Sequence, residues 1–179
     1  MTQREWSGHV FIGMSVDGMI ARADDSLDWL MGESAGGADD PSDSGFNEFM
    51  ASVDHLVMGR STYDVVRGMG EWFYGETPVF VLSTTLQAED PRIRVARSLE
   101  EVTAMLDDDG ARNVYVDGGR TVRSFLAAGM ISTLTLTRLP ILIGEGKPLF
   151  GAVPSDVRLR LDDVKTFDGG AVQTRYTVL

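Results

Sequence analysis

The sequence predicts an α/β domain in which a mostly parallel central sheet is flanked by helices and ends in a C-terminal antiparallel β-hairpin. Continuous apolar runs such as Val79–Leu82 are typical of strands that are covered on both faces. Helix signals follow most of these runs, which indicates β-α units and therefore parallel strands. Near the end of the chain, two segments with strand signals flank Asp168-Gly169-Gly170, a sequence that favours a hairpin turn.

Strand and helix signals alternate along most of the chain. A first strand is predicted over residues 9–16, where an apolar run ends at the Asp17-Gly18 turn signal. A long polar loop is predicted over residues 22–45, and loops of this length are usually functional. The sequence then predicts helices over 46–52, 61–66, 99–108 and 120–128, and strands over 55–58, 78–83, 93–96, 113–116, 132–137, 157–167 and 172–178. The clearest helix start lies at Ser98, because Glu101 completes a capping-box pattern.

The composition indicates one globular domain over residues 1–179 and excludes several functions. With 43% hydrophobic residues and no cysteine, the chain can bury a core but cannot use disulfides or thiolates, and with two histidines no metal site is expected. A net charge of −11 argues against nucleic acid as a partner, because phosphate binding needs a basic face. Signals for a membrane span or a signal peptide are absent from the sequence. We therefore expect a cytoplasmic protein with a small-molecule partner and no membrane partner.

Three predicted strands end in the same kind of corner, where glycine or hydroxyl residues precede a helix or turn. The corners are Gly59-Arg60-Ser61-Thr62, Ser83-Thr84-Thr85 and Asp117-Gly118-Gly119-Arg120-Thr121. In a parallel sheet the ends of these strands lie at one edge, which is where α/β folds bind ligands. Glycine lets the backbone approach an anion, helix N-termini offer free N–H groups, and hydroxyl and arginine side chains contact phosphate. One such corner is often only a turn, whereas three together predict a dinucleotide site.

Two common nucleotide-binding motifs do not account for this pattern. No G-x-G-x-x-G sequence follows the first strand, which argues against a Rossmann fingerprint. Residues 144–147 resemble part of a P-loop, but Pro148 follows where that motif requires serine or threonine.

The motifs resemble those of the dihydrofolate reductase superfamily, and specifically the branch similar to the C-terminal reductase domain of the bifunctional riboflavin deaminase-reductase. The matching segments occur in family order and are residues 14–21 (MSVDGMIA), 57–63 (VMGRSTY), 82–84 (LST), 116–119 (VDGG) and 140–150 (PILIGEGKPLF). The resemblance covers residues 8–178 and implies a dihydrofolate-reductase-like fold with NADPH across the carboxyl edge of the sheet.

The resemblance also implies which residues hold the cofactor. The pyrophosphate and adenosine end would be held by Gly59, Arg60, Ser61 and Thr62, and the other side of the pyrophosphate by Gly118, Gly119, Arg120 and Thr121. The adenosine and its 2′-phosphate would be contacted by Ser83, Thr84 and Arg97. The nicotinamide would be flanked by Val16, Ile20 and Ala21. Arg60 and Arg97 together suit a dianionic phosphate, which favours NADPH over NADH. The alternative for Arg97 is a solvated surface cation.

Hydride transfer to a C=N bond needs a proton donor, and the sequence offers several carboxylates. Asp17 follows the first strand and is one candidate, with a turn-forming aspartate as the alternative. Asp43 and Glu48 lie at or before the helix that carries the catalytic carboxylate in dihydrofolate reductases, and a solvated loop aspartate is the alternative for Asp43. Trp29 resembles the tryptophan of the loop that closes over the nicotinamide, or it anchors a long loop; we place Trp29 and Glu48 in the substrate pocket.

The expected activity is NADPH-dependent reduction of a small heterocyclic or carbonyl-type substrate. Two features argue against the phosphorylated pyrimidine of the riboflavin pathway, which is kept as an alternative substrate. Phe11 stands where the riboflavin reductase domain usually has lysine, and the acidic side chains of the 22–45 loop would repel an anionic substrate if they lined the pocket. Dihydrofolate reduction and a nucleotide-binding module without turnover are further alternatives. A homodimer is expected because related reductase domains often pair, with residues 133–143 as a possible interface.

Overall fold

A computed structural model describes residues 4–30, 44–87 and 89–179. Its strands and helices, in chain order, are β1 (Ser7–Ser15), β2 (Met19–Ala21), α1 (Phe46–Ser52), β3 (His55–Gly59), α2 (Arg60–Gly68), β4 (Val79–Leu82), β5 (Ile93–Ala96), α3 (Leu99–Asp108), β6 (Asn113–Asp117), α4 (Gly119–Ala127), β7 (Ile131–Leu139), β8 (Lys147–Pro148), β9 (Leu159–Thr166) and β10 (Val172–Val178). The strands of this described part form a sheet in the order β5-β4-β3-β6-β1-β7-β10-β9, and a separate small pair, β2-β8.

The sheet is parallel except at one edge. β5, β4, β3, β6, β1 and β7 pair with one another in parallel. β10 pairs antiparallel with both β7 and β9, which makes the C-terminal hairpin the antiparallel edge of the sheet. The predicted fold class is therefore confirmed: the chain has a dihydrofolate-reductase-like α/β fold with a mostly parallel central sheet.

The apolar runs of the sequence are explained by two cores, one on each face of the sheet. In β3, Val57 packs with α3 and α4, whereas its neighbours Leu56 and Met58 pack with α2 on the other face. Because side chains alternate along a strand, a strand covered on both faces needs apolar residues at successive positions. Helices thus cover both faces of the parallel strands, and the strand ends remain available for a site.

Local sequence sets the start of α3 as predicted, but tertiary pairing sets some of the other boundaries. The Ser98 hydroxyl caps α3 by accepting the N–H of Glu101 at 3.1 Å, and the Glu101 carboxylate accepts the N–H of Arg97 at 2.6 Å. β7 is longer than predicted because it pairs with β1 on one side and β10 on the other. That position leaves β7 no free edge, so the homodimer through residues 133–143 stays a prediction that would have to use a face of the sheet. The longest described helix has 10 residues, and none is long and apolar enough to cross a membrane.

Candidate active site

A cavity of about 1650 Å³ lies at the carboxyl edge of the parallel strands. All three predicted corners line it, at residues 59–62, 83–85 and 117–121. They come together because β4, β3 and β6 are neighbours in the sheet, with Gly59 in register with Leu82 and Met58 in register with Asp117. The volume exceeds the roughly 300–1,000 Å³ of typical small-molecule pockets, so an elongated ligand fits.

Glycine is required where two of the corners touch. Gly118 has a φ of +87°, and a Cβ added there would overlap Thr62 Oγ1. A Cβ at Gly59 would lie 3.0 Å from Thr121 Oγ1, on the reciprocal side of the same contact. The α2 and α4 helices begin at Arg60 and Gly119, so both N-termini lie at this junction. Free N–H groups and two threonine hydroxyls are therefore concentrated at one wall of the cavity.

The arginines of the corners have different local contacts. Arg97 Nη1 donates to the carbonyl oxygens of Ser83 and Leu86, both at 2.8 Å, and so fixes the 83–86 loop to the start of α3. Arg60 is exposed and pairs with Asp64 one helical turn later, with an Nε–Oδ2 distance of 2.7 Å. Arg120 is exposed in the first turn of α4. All three line the cavity, where they are available to an anionic ligand.

The sequence predicts Asp117 as part of a cofactor-binding corner but does not identify it as a candidate proton donor. Asp117 ends β6 and lines the cavity, and the neighbouring protein desolvates it strongly enough to raise its pKa to about 6. The hydrogen bond from the Gly118 N–H, at 2.8 Å, opposes that rise without cancelling it. The Asp-Gly-Gly corner was the available sequence signal, but desolvation by residues of other elements cannot be seen in it. An aspartic acid that keeps its proton near pH 6 is a usable proton donor.

Asp17 has the turn-forming role that was its alternative. Its carboxylate accepts the hydroxyl of Ser15 at 2.6 Å and the N–H groups of Ile143 and Gly144 at 3.1 and 2.7 Å. These hydrogen bonds lower its pKa to about 2, with the Ser15 hydroxyl as the largest cause. Asp17 is absent from the described cavity wall. An exposed carboxylate with so low a pKa is ionised at neutral pH and is a poor proton donor, which favours the turn-forming alternative for Asp17.

The remaining predicted residues divide between the cavity and its surroundings. Ile20 and Ala21 line the cavity, whereas Val16 is 56% exposed and lies outside the described wall. Glu48 lies on α1 and lines a second cavity of about 930 Å³ on the sheet face beside β1, β7 and β10. Asp43 lies outside the described residues.

Trp29 anchors the segment that leads away from β2. Its side chain is buried, and Nε1 has no hydrogen-bond partner in the described part of the chain. The adjacent Leu27 and Leu30 line the cavity instead, and Leu30 packs against Gly13 of β1, where a Cβ would lie 2.7 Å from Leu30 Cδ1. Of the two predicted roles, burial therefore favours the apolar anchor.

The opposite end of the cavity is built from β1, β7, α1 and the hairpin turn, and we call it the β1–β7 end. Its lining residues are Phe11, Gly13, Phe46, Asn47, Thr137, Leu139, Phe167 and Ala171. Phe11 and Phe46 meet edge to face with a centroid distance of 5.6 Å. The Tyr115 hydroxyl donates to the Phe11 carbonyl oxygen at 2.9 Å and holds this wall in place. One end of the cavity is thus polar and cationic, and the other is aromatic.

The fold and this cavity define a protein of the dihydrofolate reductase superfamily, in the branch of the riboflavin reductase domain. The model of the RibD C-terminal domain matches residues 8–173, and the chain belongs to that family. A putative riboflavin biosynthesis protein from Shewanella sp. PV-4 is 36% identical, with a TM-score of 0.86, and the match covers 97% of this chain and 99% of that one. YwjB of Bacillus subtilis (strain 168) is 32% identical over 171 residues, covering 93% of this chain and 95% of YwjB.

A more distant structure shares the fold. It is the diaminohydroxyphosphoribosylaminopyrimidine deaminase/5-amino-6-(5-phosphoribosylamino)uracil reductase of Thermotoga maritima, which is 16% identical with a TM-score of 0.70. The match covers 99% of this chain but 58% of the Thermotoga chain. Family membership supports a reductase-like role for the present chain, and the substrate and cofactor are taken up below.

Proposed function

We propose that this protein is an NADPH-dependent reductase of a small heterocyclic or carbonyl-type substrate. The observation that carries the proposal is the union, in one cavity, of three phosphate-type corners and a carboxyl group with a pKa near 6. Neither feature alone defines a reductase, because corners also bind nucleotides without turnover and buried carboxyls also occur in structural networks. Together they provide a cofactor site and a proton source within the same cavity.

The junction of the Gly59 and Gly118 corners suits the pyrophosphate of the cofactor, which needs close approach by the protein backbone. Gly59 and Gly118 bring two corners together: a Cβ at Gly118 would overlap Thr62, and one at Gly59 would make a tight 3.0 Å contact with Thr121, so bare backbone stands at the cavity wall. A pyrophosphate would be held there by the α2 and α4 N-termini and the hydroxyls of Thr62 and Thr121. The 2′-phosphate would be held by Ser83, Thr84 and Arg97, with Arg60 nearby on the adjacent corner.

Asp117 would provide the proton that reduction requires. When bound, the reduced nicotinamide would supply a hydride, which is two electrons with one proton, for the carbon of a C=N or C=O bond. The nitrogen or oxygen of that bond then needs one further proton to become an amine or an alcohol. With a pKa of about 6, roughly one Asp117 in ten is protonated at pH 7, and reprotonation from cavity water restores the group. Burial raises the pKa values of Tyr74 and Tyr115 beside it, so both remain neutral donors.

The cofactor assignment is tested by fluorescence titration of the purified protein with NADPH and with NADH. NADPH should bind at least tenfold more tightly, and Arg97→Ala should weaken NADPH binding while leaving NADH binding nearly unchanged. Arg94→Ala is the matched control, since Arg94 lies on β5 three residues before Arg97 but pairs with Asp109 away from the cavity. Equal affinity for the two nucleotides, or none for either, would refute the proposed role of the 2′-phosphate residues. Turnover is then measured as loss of NADPH absorbance with C=N and C=O ring compounds.

A further inference from the structure

We infer that the β1–β7 end takes a flat, uncharged ring compound that carries no phosphate group. The inference rests on the proposed function and specifies its substrate class. It differs from the phosphoribosylamino pyrimidine that the name of the Thermotoga protein implies for that enzyme.

The sheet order separates this end of the cavity from the nucleotide corners. From β4, which carries the Ser83 corner, the sheet passes through β3, β6 and β1 before it reaches β7. Four strand spacings of about 4.8 Å put the two ends roughly 19 Å apart. The Asp117–Gly118 corner of β6 lies midway between them. A ligand held at the three corners therefore leaves the β1–β7 end for a second molecule, with Asp117 at the boundary.

The wall of this end is suited to a planar ring. Phe46 contacts both Phe11 and Tyr115, with centroid distances of 5.6 and 6.4 Å. Phe49 supports the same group from behind, 5.0 Å from Phe11 and 4.9 Å from Tyr115. Aromatic side chains held in this way offer ring edges and faces to a flat ligand. Phe167 and Leu139 add apolar surface on the β7 side.

The cations of the cavity lie elsewhere or already have partners. Arg60, Arg97 and Arg120 belong to the nucleotide corners. Lys147 forms an ion pair with Asp25, and Arg123 donates to the Pro148 and Leu149 carbonyl oxygens at 2.7 and 3.2 Å. Among the described residues that line the β1–β7 end, none is lysine or arginine. Lys165 Nζ lies 4.7 Å from the centroid of the Phe167 ring, but Lys165 lines the second cavity instead. A phosphate at the β1–β7 end would therefore lack the charge-assisted hydrogen bonds that such groups require.

The sequence of the neighbouring segment increases this electrostatic bias. Residues 23–59, which include α1 and β3, contain nine Asp and Glu residues but no Lys or Arg. The polar side chains that do line the β1–β7 end, such as Asn47 and Thr137, are neutral hydrogen-bonding groups. They suit the ring nitrogens and carbonyls of an uncharged heterocycle.

The test uses matched pairs of ligands on protein saturated with NADP⁺. Heterocycles that contain C=N or C=O bonds, including 5-amino-6-ribosylaminouracil, are titrated calorimetrically with and without a 5′-phosphate. We expect at least one unphosphorylated ring to bind at least tenfold more tightly than its phosphorylated counterpart. Equal binding, tighter binding of the phosphorylated form, or no ring binding by protein that still binds NADP⁺ would overturn the inference. Failure to bind NADP⁺ would instead overturn the proposed function on which it rests.

One variant tests the electrostatic cause directly. Asn47 is exposed on α1 and lines the cavity, so Asn47→Lys adds the missing cation with little demand on packing. It should improve binding of the phosphorylated ring at least tenfold relative to the unphosphorylated ring. Asn47→Met, a neutral side chain of similar length, should retain the wild-type preference. An unchanged ratio in Asn47→Lys would contradict the inference that charge excludes phosphate.

Discussion

Replacing Asp117 with asparagine should make the protein more stable and less active, and the two effects have one physical origin. Asp117 lines the cavity, where desolvation raises its pKa from the ordinary 3.8 to about 6. Asparagine has the same shape and keeps an oxygen that can accept the Gly118 N–H, but it can neither ionise nor release a proton. The variant therefore removes the charge and the proton while leaving the corner in place.

The effect on stability depends on pH in a defined direction. Below about pH 3 the Asp117 carboxyl is neutral in both the folded and unfolded states, so it adds no pH-dependent term. As the pH rises from about 3 to 6, mainly the unfolded chain releases the proton, and the folded state is progressively destabilised. A shift of about two pKa units corresponds to about 3 kcal/mol, and access to cavity water reduces this to about 2 kcal/mol. Above pH 7 the variant should therefore melt about 4–8 °C higher than the natural sequence.

Urea denaturation at pH 4.5 and pH 8 measures this difference. The free energy of unfolding of Asp117→Asn should exceed that of the natural sequence at pH 8, and the excess should fall to roughly a third of that value at pH 4.5. Asp54→Asn is the matched control, because the Asp54 carboxylate accepts the N–H groups of Arg112 and Asn113 at 3.0–3.2 Å and its loss should destabilise the folded state. It should lose about 1 kcal/mol. A less stable Asp117→Asn at pH 8, or an excess independent of pH, would refute the raised pKa.

The activity of the same variant tests the role of the proton. With a substrate that supports NADPH oxidation, kcat should fall by about 100-fold or more, while the Kd for NADPH changes by less than about threefold. The natural enzyme should lose kcat as the pH rises above about 6, and the variant should lack that dependence. An unchanged kcat with an unchanged pH profile would assign the proton to water.

Three further variants test individual contacts. Gly118→Ala should weaken NADPH binding at least tenfold in fluorescence titrations, because Gly118 has a positive φ and the added Cβ overlaps Thr62. Adding Thr62→Ala should recover part of this loss, and an unaltered affinity of Gly118→Ala would contradict the close approach of the two corners. Asp17→Asn should melt at a lower temperature than the natural sequence at pH 7, because the ionised Asp17 carboxylate stabilises the folded state. This difference should shrink as the pH falls from about 4 to 2, where the carboxylate takes up its proton, and a difference independent of pH would argue against the low pKa. Ser98→Ala should cost about 1 kcal/mol in urea denaturation through loss of the α3 cap, and no loss would argue against the cap.

Features that depend on neighbouring residues were predicted well from the sequence. The start of α3 follows from Ser98 and Glu101, which are three residues apart, and the C-terminal hairpin follows from one glycine-rich turn. The convergence of the three corners was also predictable, because parallel strands place their carboxyl ends at one edge whatever their order.

Features that depend on distant residues were not predictable in the same way. Besides the nearby Ser15 hydroxyl, Asp17 accepts the N–H groups of Ile143 and Gly144, which lie more than 120 residues away in the chain. The pKa of Asp117 is set by burial among residues of several elements, Tyr115 and Tyr74 among them. A motif identifies such an aspartate as a corner residue, but its protonation depends on a dielectric environment that exists only in the folded chain.

Asp54 and Asp117 show how one pair of adjacent strands divides stability from chemistry. Both lie at ends of the β3–β6 pair, Asp54 just before β3 and Asp117 at the end of β6. Burial alone would raise the pKa of either carboxyl. At Asp54, hydrogen bonds from His55 and two backbone N–H groups reverse that effect and hold the pKa below its ordinary value, so the ionised group stabilises the fold. At Asp117 the hydrogen bonds are too few to offset burial, so the pKa stays raised and the ionised carboxylate destabilises the folded state. A destabilising group of this kind at the wall of the cavity that holds all three corners is best explained if the proton is used there.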